Sequence, residues 1–224
     1  MDRDETKRTA AEAAIDYVTP GTTIGVGTGS TAGFFIEALA ARTQLVAAAV
    51  ASSEATARAL RAAGIRVIDL EEAPSLPLYV DGADEVDPEL RLIKGRGGAH
   101  TREKILATAA ELFVCIVDES KLVDRLGGAP VPLEIVPMAR PLVARRLIAL
   151  GATVVERPGF VTDNGGAILD AVGLDLSDPE GLELELDAIP GVVECGIFAL
   201  RRADVVLIGS AVGVRRRLSG RRTP

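Results

Sequence analysis

The stretch Thr22–Leu70, TTIGVGTGSTAGFFIEALAARTQLVAAAVASSEATARALRAAGIRVIDL, decides the fold class. Thr22 to Val26 reads as a short buried strand running into Gly27-Thr28-Gly29-Ser30-Thr31. A helix follows, with Phe34, Phe35, Ala38 and Leu39 on its apolar face. Leu45–Val50 reads as the next strand, Ser53–Ala63 as an amphipathic helix ended by Gly64, and Ile65–Leu70 as a third strand. The order is βαβαβ, which predicts a parallel sheet with helices on its faces. Ligands of such folds sit beyond the carboxyl ends of the strands, where the Thr28–Thr31 loop falls.

Glycines and hydroxyls at a strand-to-helix junction present backbone N–H groups and a helix dipole to an anion. The same residues also make an ordinary tight turn, and on spacing alone both readings stand. A dinucleotide fingerprint is excluded. The third glycine of GxGxxG falls on Ser30, and the second strand ends in Ala-Ser-Ser without an acidic residue. No GK[ST] of a nucleotide P-loop is present either.

Downstream, LYVDGADEVDPELRLIKGRGGAHTREKILATAAELFVCIVDESK (78–121) concentrates the chemistry. Leu78-Tyr79-Val80 is a strand left by Asp81-Gly82-Ala83-Asp84, whose two carboxylates, three residues apart, face one site in a turn or serve only as turn formers. Arg91–Ile93 returns as a strand into the flexible loop Lys94-Gly95-Arg96-Gly97-Gly98-Ala99. Thr101-Arg102-Glu103-Lys104 opens a helix. Glu103 there complements the dipole or acts as a base, and the dipole favours its anion in either role. His100, the only histidine, reads as a capping or packing residue. Leu112–Val117 is a buried strand, with Asp118-Glu119-Ser120-Lys121 at its carboxyl end.

Before this core, residues 4–18 are helix-patterned and closed by Pro20-Gly21. After it, Gly-Gly-Ala-Pro-Val-Pro reads as a linker into a smaller unit. The strands there are Leu133–Val136, Thr153–Glu156, Ala167–Val172 and Val192–Phe198, and the helices are Ala139–Leu150 and Pro179–Ala188. That is βαββαβ, a ferredoxin-like order. Asp204–Gly209 reads as a strand returning to the first domain, and Arg215–Arg222 as a solvated basic tail. The expected architecture is therefore α/β, a Rossmann-like parallel-sheet domain (1–127 plus 200–224) with a smaller α+β domain (128–199).

Composition narrows the function. The net charge of −7 argues against nucleic-acid partners, which require a basic face. The longest apolar runs are strand-length, short of the ~20 residues that span a bilayer, and the charged N-terminus lacks a signal-peptide pattern. Cys115 and Cys195 read as reduced core residues of a cytoplasmic protein. The basic residues divide into 21 Arg and 4 Lys, and three of the lysines (94, 104 and 121) lie in 78–121. Compact ammonium groups suit oxyanions and phosphates.

The motifs GVGTGST (25–31), YVDGADE (79–85), IKGRGGAHTREK (93–104), VDESK (117–121), PLEIVPMA (132–139) and VTDNGG (161–166), in this order across most of the chain, closely resemble the type A ribose-5-phosphate isomerase family. The resemblance implies an aldose–ketose isomerase interconverting D-ribose 5-phosphate and D-ribulose 5-phosphate in the non-oxidative pentose phosphate pathway, with no metal and no organic cofactor. No metal-ligand spacing occurs in the sequence. Carried over residue by residue, Glu103 matches the general base. Lys94 and the Gly97–Gly98 amides match the oxyanion-stabilising positions, and Gly95 and Arg96 of the same loop are counted as substrate-binding. Asp81, Gly82, Ala83 and Asp84 match the segment holding the sugar hydroxyls, with Asp81 also counted as catalytic. Thr28, Gly29, Ser30 and Thr31 match the phosphate loop, with Lys121, and Lys7 beside it, as counter-charge. Arg96 and His100 depart from the family pattern. The implied assembly is a homodimer or homotetramer. Two rival readings stand beside it: a histidine-using amino-sugar phosphate isomerase/deaminase or sugar-phosphate lactonase, for which only His100 is available, and a sugar-phosphate-sensing domain of a regulator, for which the acidic chain has no spare DNA-binding segment.

Overall fold

The computed structural model describes residues 3–220. In chain order the elements are α1 (Arg3–Ala13), β1 (Thr22–Val26), α2 (Ser30–Ala40), β2 (Val46–Ala51), α3 (Glu54–Ala62), β3 (Leu78–Asp81), β4 (Glu85–Val86), β5 (Leu92–Ile93), α4 (His100–Ala109) and β6 (Leu112–Asp118). The remainder comprises β7 (Val131–Ile135), α5 (Arg140–Ala149), β8 (Thr153–Glu156), β9 (Ala167–Val172), α6 (Pro179–Asp187), β10 (Val192–Cys195), β11 (Ile197–Phe198), β12 (Val205–Ser210) and β13 (Gly213–Leu218). The chain divides into two compact units. The first holds residues up to Ala83, Arg102–Lys121 and from Ala203 on; the second holds Asp84–Thr101 and Leu122–Arg202. This partition differs from the expected division in giving Asp84–Thr101, and also residues 122–127 and 200–202, to the second unit.

The first unit is built on a six-stranded sheet in the order β13-β12-β6-β3-β1-β2. All neighbours are parallel except β12 and β13. Its central strands are buried on both faces, as their near-continuous Val, Ile and Leu content requires. Phe35, Leu39, Leu60, Ile24 and Ile116 lie in its core with Ala10, Ala11 and Ala14 of the N-terminal helical segment. α1 packs on β12, where a Cβ on Gly209 would come 1.9 Å from the Thr6 carbonyl oxygen. Only glycine permits that approach.

Two expectations fail in this unit. Ile65–Leu70 forms no strand: it makes one isolated bridge, Val67 to Ala49, and then turns into a single 3-10 turn. Only Ile65 of the stretch is buried, so little apolar surface holds it to the sheet. Conversely Gly213–Leu218, read as part of a basic tail, is an edge strand paired with β12. Arginines 215–217 suit a sheet edge, where charge blocks further pairing. Arg221 and Arg222 lie outside the described residues.

The second unit contains a four-stranded antiparallel sheet in the order β10-β7-β9-β8, the arrangement of a βαββαβ unit, and a three-stranded sheet β11-β5-β4. The expected single strand Val192–Phe198 is two strands, with Gly196 between them. A Cβ on Gly196 would lie 2.3 Å from the Lys94 carbonyl oxygen, so the chain changes sheets where it touches Lys94. Leu133, Ile135, Val143, Leu147 and Leu169 form the core.

Candidate active site

In the first unit β1 and β3 run parallel, with Val26 beside Val80, so Gly27 and Asp81 leave the sheet side by side. Gly27 N–H donates to the Val80 carbonyl at 2.8 Å. A Cβ on Gly27 would stand 1.9 Å from Asp81 Oδ1, so the carboxylate occupies the space that glycine leaves. Asp81 is fully buried. Its Oδ1 accepts the N–H groups of Thr28 (3.0 Å) and Gly82 (2.7 Å), and its Oδ2 accepts the Tyr79 hydroxyl (2.5 Å).

Thr28 is held from its other side. Its Oγ1 lies 2.7 Å from Ser52 Oγ, 2.9 Å from Ser53 Oγ and 3.1 Å from Thr56 Oγ1. Ser53 Oγ in turn caps α3 by accepting the Thr56 N–H at 3.0 Å, and the Thr56 hydroxyl donates to the Gly27 carbonyl at 2.8 Å. Gly29, at φ +117°, turns the chain into α2, leaving Gly29 and Ser30 exposed and Thr31 half-buried at the helix N-terminus. A helix start of this kind favours an anion.

Tyr79 is fully buried, and its phenol is pushed well above the ordinary value. Burial is the leading cause. The negative charges of Asp81 and Glu103 follow, then the bond to Asp81, while a bond with Ser52 acts in the opposite sense. The field of Glu103 thus reaches the Tyr79–Asp81 pair. Glu103 stands in the first turn of α4 and is 4% exposed. Lys121 closes the single turn after β6 and is half-buried. Lys7 pairs with Asp4 at 2.8 Å.

In the second unit, Asp84 N–H donates to the Ile93 carbonyl (2.8 Å), and Asp84 Oδ2 accepts the Arg96 N–H (3.0 Å). Lys94 is buried, with its N–H on the Gly196 carbonyl (2.9 Å) and its ammonium 5.5 Å from the centre of the Phe198 ring. Gly95 (φ +102°) and Gly98 (φ +73°) give the loop its shape, and Gly98 N–H donates to the Gly95 carbonyl at 2.9 Å. Arg96 and Gly97 are exposed. His100 is buried, and its Nε2 accepts the Glu134 N–H at 3.1 Å.

The structure therefore gathers Thr28, Asp81 and Gly82 into one hydrogen-bonded cluster within the first unit. Asp84, Lys94 and Arg96 meet on one loop system within the second. Ala83/Asp84 and Thr101/Arg102, where the chain crosses between units, lie inside the motifs themselves.

Sequence reasoning missed several participants. Tyr79 sits two residues before Asp81, so period-two alternation already put both on one face of β3. Ser52, Ser53 and Thr56 carried no such signal. Glu134 is buried and accepts from the hydroxyls of Thr101 and Thr162 (2.5 Å for the latter) and from Asn164 Nδ2 (3.1 Å), joining three of the motifs. One group with metal-ligand proximity, Asp187, Glu194 and Cys195 within 4.8 Å, is made by the fold rather than by sequence spacing. Its two carboxylates accept the Cys195 N–H.

Comparison with known proteins converges on one family. A family model described as ribose 5-phosphate isomerase A (phosphoriboisomerase A) matches residues 48–213. A protein of Acidithiobacillus ferrooxidans named ribose-5-phosphate isomerase A is 56% identical over 214 residues, 96% of this chain and 98% of its own. One of the same name from Bordetella avium is 52% identical over 220 residues, again 96% and 98%. Among solved structures, ribose 5-phosphate isomerase A from Neisseria gonorrhoeae superposes with a TM-score of 0.96 at 45% identity, covering 98% of this chain and 99% of that one. A D-ribose-5-phosphate isomerase solved in complex with phospho-erythronic acid gives 0.94 at 38% identity, covering 97% and 100%.

Proposed function

The chain belongs to the ribose 5-phosphate isomerase A family, and from that premise we propose that Glu103 is the carboxylate base of its isomerisation. The protein is an aldose–ketose isomerase interconverting D-ribose 5-phosphate and D-ribulose 5-phosphate. The reaction takes the proton from C2 of the open-chain aldose, passes through an enediolate and returns a proton to C1, with a hydroxyl proton relocated between O2 and O1. A base beside C2 and donors toward the developing oxyanion are the requirements.

The observation that carries the base assignment is the burial of Glu103. A carboxylate 4% exposed in a helix's first turn costs solvation, and the helix dipole offsets part of that cost for the anion. Lys94 and the amide of Gly97 are assigned to the oxyanion; the Gly98 N–H, which the sequence offered beside it, is engaged by the Gly95 carbonyl and with Gly95 and Arg96 shapes the loop. Asp81, Gly82, Ala83 and Asp84 form the segment that meets the sugar hydroxyls. Asp81, saturated by Thr28, Gly82 and Tyr79, acts there by fixing that segment and the phosphate loop. Gly29, Ser30 and Thr31 offer amides to the phosphate, and Lys121 supplies its counter-charge. Thr28 contributes through its backbone placement, since its hydroxyl points to the α3 cap.

The chemistry calls for neither metal nor organic cofactor. A homodimer or homotetramer in the cytoplasm completes the reading, supported by the exposed apolar side chains Met138, Ile148, Leu184 and Val193 and by the burial of both cysteines. No helix among the described residues is long and apolar enough to cross a membrane.

The test is direct conversion of ribose 5-phosphate with EDTA present. Glu103→Gln keeps the fold and lowers kcat by about 10³-fold or more, with a small change in substrate affinity. Near-parental turnover in that variant removes Glu103 as base.

A further inference from the structure

The loop Lys94–Gly98 is gripped by a guanidinium to which no role has yet been given. Arg157 Nε and Nη2 each lie 2.7 Å from an oxygen of Asp170, a bidentate pair with side chains 20% and 15% exposed. The same guanidinium turns its remaining donors on the loop: Nη1 to the Arg96 carbonyl at 2.9 Å and Nη2 to the Gly95 carbonyl at 3.2 Å. Its Cζ lies 5.8 Å from the centre of the Phe160 ring, which fills the space where a Cβ on Gly98 would sit, 2.5 Å from Phe160 Cζ.

A trans peptide is planar, so fixing a carbonyl fixes the N–H of the next residue in the opposite direction. The Gly95–Arg96 peptide shows this: its C=O meets Arg157 while its N–H meets Asp84 Oδ2 at 3.0 Å. The Arg96–Gly97 peptide is held by the same hand, with its C=O on Arg157 Nη1. We propose that Arg157, locked by Asp170, is a positioning residue that aims the Gly97 amide at the oxyanion of the isomerisation. The proposal rests on the oxyanion assignment given above. Lysine cannot replace arginine here, because a single ammonium does not span a carboxylate and two carbonyls in one plane.

Two variants test it beside the parent and Glu103→Gln. Arg157→Met/Asp170→Leu replaces the ion pair with apolar packing, a change that commonly preserves stability; Arg157→Lys keeps the charge. Thermal unfolding establishes that each is folded. The expected result is a fall in kcat of about 10- to 100-fold, with KM for ribose 5-phosphate within about threefold of the parent. Affinity for phospho-erythronic acid falls by a factor comparable to that in kcat. A folded variant of either kind that keeps kcat within about twofold overturns the proposal, since a purely structural pair is dispensable once stability is retained. A parent that does not isomerise ribose 5-phosphate removes the functional reading itself, and active Glu103→Gln removes only the base assignment.

Discussion

Tyr79 Oη donates to Asp81 Oδ2 at 2.5 Å, two residues apart on one face of β3 and both fully buried. The bond gives the carboxylate a donor that water would otherwise supply, while burial first, then the charges of Asp81 and Glu103 and the bond itself, keep the phenol protonated. Sheet geometry thereby fixes the loop, because the other oxygen of Asp81 holds Thr28 and Gly82.

Tyr79→Phe removes that donor, and at pH 7 the loss should cost about 1–3 kcal/mol of stability. The phenol pKa is raised in the folded state, so the stability it contributes is present below the unfolded value of about 10 and is lost as pH rises through the folded value. Denaturant unfolding at pH 7 and above pH 10 should therefore show the gap between parent and variant narrowing in alkali. A constant gap would contradict the raised phenol.

Gly27→Ala places a methyl where Asp81 Oδ1 stands. The carboxylate must move, breaking its bonds to Thr28 and Gly82. A loss of about 2–4 kcal/mol is expected, with a fall in kcat/KM. Unfolding and kinetics on one preparation check both, and an unperturbed Gly27→Ala would show that Asp81 has room.

Lys121→Ala should raise KM for ribose 5-phosphate by about 10-fold or more and leave the slow turnover of unphosphorylated ribose little changed. Equal losses on both sugars would deny Lys121 a role at the phosphate.

Asp118 precedes that lysine. Burial alone would raise its carboxyl, but the hydroxyl and N–H of Ser120 and the charge of Arg3 outweigh it and hold the pKa below the usual range. A depressed carboxyl contributes stability above its unfolded pKa and loses it as pH falls through the folded one. Ser120→Ala should thus move the acid-unfolding midpoint to higher pH; an unmoved midpoint would mean that Arg3 and the backbone suffice.

Much of this was legible in residue order. The strands Thr22–Val26, Thr153–Glu156 and Ala167–Val172 stand where alternation and turn residues put them. Ile65–Leu70 misled because apolar composition cannot distinguish a paired strand from a segment touching the sheet at one residue. Arginines 215–217 misled in the opposite sense, since charge marks an edge strand as readily as a tail. Asp81, Lys94 and Glu103 were visible as residue types in motifs. The partners that hold the site residues were not, because Ser52, Glu134, Arg157 and Asp170 reach them across long separations that only the fold closes.

Neither unit is one continuous stretch of chain, and this orders events during synthesis. A chain emerging from its N-terminus delivers β1, β2, β3 and β6 early, but β12, the parallel neighbour of β6, follows the whole of the second unit. Until it arrives, β6 presents an unpaired edge and α1 lacks the Gly209 surface on which it rests. The nascent first unit therefore holds four of its six strands from residue 118 until β12 emerges at residue 205, an incomplete sheet whose open edge is exposed to mispairing.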